Sequence, residues 1–345
     1  MKILKRVLMF IIIIILVIEI PSNNIIVNSS VIPTNPIKIG VFLHSSDEYL
    51  SLVKQNLEAI QSENQDKVQF VFFNAKENQS IQNESIDKAL TENFDLLIVN
   101  LHTINLKEVG DTLSKIIKNN MPLILFGEPD EKLINFVKDN GIFIASYGKD
   151  SGILEGQIIA DEWMNNKEAI DKNGDNILQY IILKGRIGDP IVNERTKYAI
   201  STLKKEGIKI EELASVNGEW NKDLAKRAIE SLFLIYGNRI EAIISNNDEM
   251  AIGAIEALQK YGYNTGSKST SIPVVGIDGI DTAKDLIQKG FMTGTVIQDP
   301  RNQAEALYKV GMNLASGKYP LENTNYKFDD TGVVIRFPYK EYIKQ

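Results

Sequence analysis

The 345-residue chain contains no cysteine. That excludes disulfides, a thiolate metal centre, a cysteine nucleophile and a lipid carried on an N-terminal Cys. Histidine is nearly missing as well. His44 and His102 are the only two, so a histidine-rich zinc site is not expected. There is no G-x-x-x-x-G-K-[ST] and no G-x-G-x-x-G, which removes the usual phosphate-loop and dinucleotide signatures. No Ser/His/Asp set stands out either, and no enzyme is expected. Excess positive charge is lacking too: 38 Lys and Arg face 45 Asp and Glu, and a net charge of −7 argues against nucleic acid as a partner. The rest is ordinary for a globular protein, with 43% apolar and 24% charged residues and enough length for two cores.

Long apolar runs are confined to the N-terminus. Lys2, Lys5 and Arg6 precede an apolar stretch from Val7 to Ile18. A basic flank before an h-region of this length reads as a membrane-targeting segment. The run is short for a spanning helix, which needs about 20 residues. Residues 1–30 are therefore assigned to a cleaved signal peptide or a retained anchor, and 31–36 to a linker. Either way the remainder is expected outside the cytoplasm.

From Ile37 onward, short β-branched runs alternate with segments of helical period. The strand candidates are Ile37–Leu43, Val68–Phe73, Leu96–Leu101, Leu123–Phe126, Phe143–Ala145, Leu178–Leu183, Ile208–Leu213, Ala242–Ile244, Val274–Ile277 and Gly294–Ile297. Helical patterns between them include Tyr49–Gln61, Gly152–Asn165, Asn193–Glu206, Leu224–Tyr236 and Glu249–Lys260. Repeated strand–helix units imply parallel sheets with helices on both faces. So many strands suit two sheets better than one, and the fold class is α/β with two lobes.

In open parallel sheets, ligand groups sit on loops after the carboxyl ends of strands. Those loops here read H-S-S-D-E-Y, V-N-L-H, K-G-R-I-G-D-P, S-N-N-D-E-M, D-G-I-D and Q-D-P-R-N-Q. Each offers Asp, Asn, Gln or Arg. Planar groups with paired donors and acceptors suit a neutral polyol, and nearby aromatics would cover its apolar face. Taken one at a time the residues have blander readings. Asp47, Asn100 and Asp278 read equally as turn or helix caps, Trp220 as core, and Arg195 as an exposed helix charge.

Taken together, "KIGVFLHSSDEYLSLV", "YIILKGRIGDPIVNERT", "IISNNDEMAIGAIEAL", "IPVVGIDGIDTA" and "TGTVIQDPRNQA" resemble the glucose/galactose-binding proteins of bacterial sugar uptake and chemotaxis, from about Ile37 to Tyr339. The resemblance implies two Rossmann-like lobes joined by three hinge crossings and closing over one monosaccharide. It divides the chain into a first lobe of 37–121 plus 299–335 and a second of 122–298 plus 336–345. It also implies that Asp47 and Asn100 bond sugar hydroxyls, that Tyr49 and Trp220 sandwich the ring, and that Arg195, Asn247 and Asp278 supply further polar contacts. Three positions depart from the pattern. Asp189 stands where the family has His, Ile191 where it has Asp, and Gln298 where it has Asn. Asp189 and Gln298 are retained as sugar contacts, and Asp189 is a candidate replacement for the acid missing at Ile191. Glucose or galactose is the default ligand, with a pentose or modified glycoside as alternatives.

One further motif, DKNGDNILQ, resembles the start of a calcium loop. Asp171, Asn173, Asp175, the Ile177 carbonyl and Gln179 occupy ligand positions, with Asn176 where a hand has Gly and Ile182 where it has the bidentate Glu. The loop alone is incomplete and runs into a strand. The resemblance implies that a remote Glu241 completes a structural calcium site in the second lobe, away from the sugar. As partners it implies an ABC permease or, alternatively, a membrane histidine kinase or chemoreceptor, with the chain itself a monomer. The sensor alternative draws on the absence of a lipid-bearing Cys. A repressor is disfavoured, because a hydrophobic segment stands where a helix-turn-helix belongs.

Overall fold

The computed structural model describes residues 35–344. The targeting segment and all but the end of the linker lie outside them. The first elements are β1 (Ile37–Leu43), α1 (Glu48–Glu63), β2 (Val68–Asn74), α2 (Gln79–Ala89), β3 (Leu96–Val99), α3 (Leu106–Lys118), β4 (Leu123–Phe126), α4 (Glu131–Val137) and β5 (Gly141–Ser146). Then come α5 (Gly148–Ile170), β6 (Leu178–Lys184), α6 (Pro190–Lys205), β7 (Ile210–Asn217), α7 (Lys222–Tyr236), β8 (Ala242–Ser245), α8 (Asp248–Gln259), β9 (Val274–Asp278), α9 (Asp281–Lys289) and β10 (Gly294–Ile297). The chain ends on α10 (Pro300–Ala315), β11 (Val334–Phe337) and β12 (Lys340–Ile343).

The strands form two six-stranded sheets, ordered β11-β5-β4-β3-β1-β2 and β12-β10-β9-β8-β6-β7. Side chains alternate across each strand, so each sheet feeds two cores. In β1, Ile39, Val41 and Leu43 meet α1 and Leu307 and Val310 of α10 on one face. Phe42 points the other way, toward Ile86 of α2 and Leu113 of α3. In β6, Ile181 and Leu183 face Ala225 of α7 and Ala251 of α8. Tyr180 and Ile182 face Ile159 of α5 and Leu203 of α6.

The expected ten strands are all present. The lobe boundary expected after residue 121 is wrong. β4 pairs in parallel with β3, and β5 with β4, so residues 122–146 complete the first sheet. Crossing earlier would have left the carboxyl-side edge of β3 unpaired. The chain passes to the second lobe only between β5 and α5. It returns between β10 and α10, and leaves again between β11 and β12. β11 and β12 were not expected as strands. β11 adds in parallel to β5, so Arg336 and Phe337 belong to the first lobe. β12 pairs antiparallel to β10 and is polar enough to sit at a sheet edge. Among the described residues, no helix is long and apolar enough to cross a membrane.

Candidate functional site

The carboxyl ends of the parallel strands in both sheets open onto one cleft between the lobes. Asp47, Tyr49, Asn100, Asp189, Arg195, Trp220, Asn247, Asp278 and Gln298 all line it. The cleft encloses about 1040 Å³ when the open solvent at its mouth is counted.

Several of these residues combine two roles that the sequence left as alternatives. Asp47 is the N-cap of α1, accepting from Leu50 N at 2.8 Å and from Ser45 Oγ at 2.5 Å. Asn247 caps α8 through Met250 N, and Asp189 caps α6 through Ile191 N. Capping pins each side chain at a helix N-terminus that faces the cleft. Asp278 behaves differently. The helix after it has no side-chain cap, and buried Asp248 accepts from the two amides that precede it, Gly279 N at 2.8 Å and Ile280 N at 3.0 Å. Asp278 is 7% exposed, sits at φ 132° and has no side-chain partner in the protein. Burial holds its carboxyl well above the usual range, against the nearby Arg195 charge.

Arg195 is not an exposed helix charge. It is 3% exposed because α5 lies close against α6: a Cβ on Gly152 would stand 2.5 Å from the Arg195 carbonyl. Its Nη1 donates to the Asn246 carbonyl at 2.6 Å, and its Nη2 to Gln298 Oε1 at 3.1 Å and Tyr339 at 3.0 Å. Trp220 is held at positive φ, 64°, over Gly185, where any Cβ would lie 2.2 Å from its ring. Tyr49 approaches from the other lobe. Asn100 donates to the Phe126 carbonyl and shares a 2.5 Å bond with His44 Nδ1.

Four buried polar atoms around the cleft lack partners: Arg195 Nε, the Tyr49 hydroxyl, His44 Nε2 and His102 Nδ1. Buried polar groups normally find partners. With the free Asp278 carboxylate, they form a set suited to a hydroxyl-rich ligand. Burial, with Arg186 beside it, lowers His44 to about 4, so its imidazole is neutral near pH 7. His44, His102, Arg186 and Glu128 also line the cleft and were not assigned from sequence. Each follows a strand end, so the loop rule alone would have found them. Glu128 is paired with Arg336 at 2.5 Å, yet burial raises it to about 7.

Two hydrogen bonds join the lobes across the mouth. Glu249 of α8 accepts from Glu48 N at the start of α1, at 2.8 Å. Arg186 donates to the His102 carbonyl at 2.6 Å. At the rear, Gln298 and Gln303 both reach Ser146 Oγ, and Tyr339 reaches Gln298. All three crossings are therefore tied to one another.

The calcium-like loop lies between α5 and β6. Glu241, fully buried, accepts from Lys172 N and Gln179 N, each at 3.0 Å. The two segments thus meet. Asn173, Asp175 and Gln179 bond one another, and Gly174 and Asn176 turn at positive φ. Asp171 Oδ1 is buried with no donor. Burial, reinforced by Asp171 and Asp175, raises Glu241 to about 7. Among the described residues, no three acidic or histidine side chains cluster closely enough to hold a metal. Any ion here would depend on amide and carbonyl oxygens as well. None of these residues lines the cleft.

Comparison with known proteins bears on most of the chain. A periplasmic binding protein domain model matches residues 39–319. The chain is 32% identical over 305 residues to the D-galactose/methyl-galactoside binding periplasmic protein of Haemophilus influenzae, covering 88% of each. It is 24% identical over 284 residues to a xylitol-binding protein of Mycolicibacterium smegmatis, covering 81% of this chain and 73% of that one. The fold matches an ABC transporter solute binding protein from Bacillus halodurans solved with myo-inositol, with TM-score 0.72 at 23% identity, covering 90% and 95% of the two chains.

Proposed function

Because the chain belongs to the periplasmic binding protein family, we propose that it is an extracytoplasmic receptor that closes its lobes over a sugar and presents it to an ABC importer. The observation that carries this reading is the unpaired polar set, Arg195 Nε, the Tyr49 hydroxyl and His44 Nε2, lying in one cleft with Asp278 and Trp220. A sugar ring has an apolar CH face for an aromatic and hydroxyls for the polar atoms. Each hydroxyl left unsatisfied would cost about 1–3 kcal/mol. The targeting segment supports an extracytoplasmic location. The use of the same receptor to report occupancy to a kinase or chemoreceptor remains the second reading, motivated by the cysteine-free sequence. Calorimetry against sugars, polyols and glycosides tests the proposal: at least one binds, and a flat response to the whole panel overturns it.

The mouth contacts give a separate expectation. Glu249 and the α1 N-terminus join the lobes, with the carboxylate completing an otherwise orphan helix N–H. Glu249→Ala should reduce the closed population and so weaken every ligand by one common factor, about three- to tenfold. Calorimetry with two ligands checks this. A changed ratio between them would mean that Glu249 touches ligand instead.

We also propose a structural calcium ion at the loop. The donors are all oxygen, and the orphan Asp171 Oδ1 fits a cation better than a hydrogen bond. Asp171, Asn173, Asp175, the Ile177 carbonyl, Gln179 and Glu241 would hold it, supplying charge neutralisation and a fixed junction between α5 and β6.

A further inference from the structure

Resting on the sugar-receptor reading, we propose that His44 is a specificity-determining residue, its Nε2 a fixed acceptor that requires a free hydroxyl at one point of the sugar. An ether oxygen, a deoxy carbon or a fluorine at that point is rejected.

A backbone group sets the polarity of this nitrogen. The Phe126 carbonyl can only accept, so the Asn100 side-chain atom 2.7 Å from it is the amide nitrogen. That orients the amide and turns its oxygen, which can only accept, toward His44 Nδ1 at 2.5 Å. Nδ1 therefore carries the proton. Two further bonds hold Asn100 in place. Its backbone N donates to the Phe42 carbonyl at 2.8 Å, and Gln82 Nε2 donates to its own carbonyl at 2.8 Å. His44, buried beside Arg186, is neutral near pH 7. Its one ring N–H is spent on Asn100, and Nε2 keeps a bare lone pair that no protein donor reaches. The residue lines the main cleft and also the polar cavity beside it, as do Asp47, Arg186 and Trp220. Its ring thus borders the space open to a ligand. A tyrosine hydroxyl can turn to donate or accept, and an arginine N–H serves an ether as well as a hydroxyl. A bare imidazole nitrogen does neither. Left facing a group without a proton, it stays desolvated and unpaired.

The chain has two histidines, so nitrogen-15 spectra of histidine-labelled protein resolve both, and His102→Gln assigns them. Without sugar, His44 is expected as the Nδ1–H tautomer with Nε2 free of a hydrogen bond. Saturation with D-galactose or D-glucose should shift the Nε2 resonance to that of a hydrogen-bonded acceptor. Calorimetry then compares both sugars with their analogues fluorinated at one hydroxyl at a time. One fluorination should weaken binding to wild type by about fivefold or more, and to His44→Phe by about twofold or less. The other fluorinations should cost the same in both proteins. His44→Gln can donate to Asn100 through its amide nitrogen and accept through its oxygen, and should restore the discrimination. The spectra need no change at His44, so the outcome does not depend on His44→Phe folding. An Nε2–H tautomer, an Nε2 resonance indifferent to bound sugar, or fluorination costs equal throughout in wild type and His44→Phe each overturn the role of His44 and leave the sugar receptor standing. If neither sugar binds, the role of His44 falls, and the wider panel decides the receptor.

Discussion

Asp278→Asn is expected to weaken sugar binding by about 1.5–3 kcal/mol, the worth of a hydrogen bond to a charged group, while making the ligand-free protein more stable. The two effects have one cause. Asp278 is buried, at φ 132°, and no protein donor reaches its carboxylate. Ionising a buried carboxyl that accepts no hydrogen bond from the protein costs the fold, and a neutral amide of the same shape avoids that cost. Arg195 loses a neighbouring charge but keeps its bonds to Asn246, Gln298 and Tyr339. The gain should be about 1 kcal/mol or more, or roughly 3 °C in Tm. Its pH dependence has a definite sign. The folded state holds the Asp278 proton more tightly than the unfolded chain does. The wild-type side chain therefore costs little in acid and progressively more as pH rises above the ordinary carboxylate range. The advantage of the variant should be small in acid and largest at neutral pH. Melting curves at two pH values, with calorimetry on the same samples, check both parts. A variant that binds normally, or is less stable at neutral pH, contradicts the assignment.

Removing the calcium ion proposed for the loop is expected to lower Tm by roughly 10 °C. A ligand at a thousandfold its Kd stabilises by about 4 kcal/mol, and about 2–4 °C follow from each kcal/mol in a domain of this size. Glu241→Ala complicates a simple comparison, because it strips the acceptor from Lys172 N and Gln179 N even without metal. The informative quantity is therefore the chelator response. Wild type should lose Tm on chelation and regain it with calcium, while Glu241→Ala should start lower and respond to neither. An unchanged wild-type Tm on chelation would leave the loop as a turn held by its own amides.

Strand positions were legible because β-branched runs bounded by polar loops leave few alternatives. The loop rule then placed candidate site residues from strand ends alone, and all of those carried over from the family pattern line one cleft. What sequence could not supply was pairing. Leu123–Phe126 and Phe143–Ala145 read as strands but carry no mark of which sheet they join, and β4 pairs with β3 through backbone groups common to any residue. β11, in "VVIRF", had a readable β-branched signal, whereas β12, in "KEYI", did not. Dual roles were equally hidden. Asp47 and Asn247 looked like either caps or ligand groups, and they cap helices whose N-termini face the cleft. Arg186 and Glu249 escaped notice because their partners lie in the other lobe, far along the chain.

The bonds among Ser146, Gln298, Gln303 and Tyr339 have a mechanical consequence. Between them they stand at or beside all three passages of the chain between the lobes, and Arg195 reaches two of them from the cleft wall. The pivot and the pocket are thus parts of one truss. A force applied to the guanidinium is delivered directly to the axis about which the lobes turn, with no intervening side chain to absorb it.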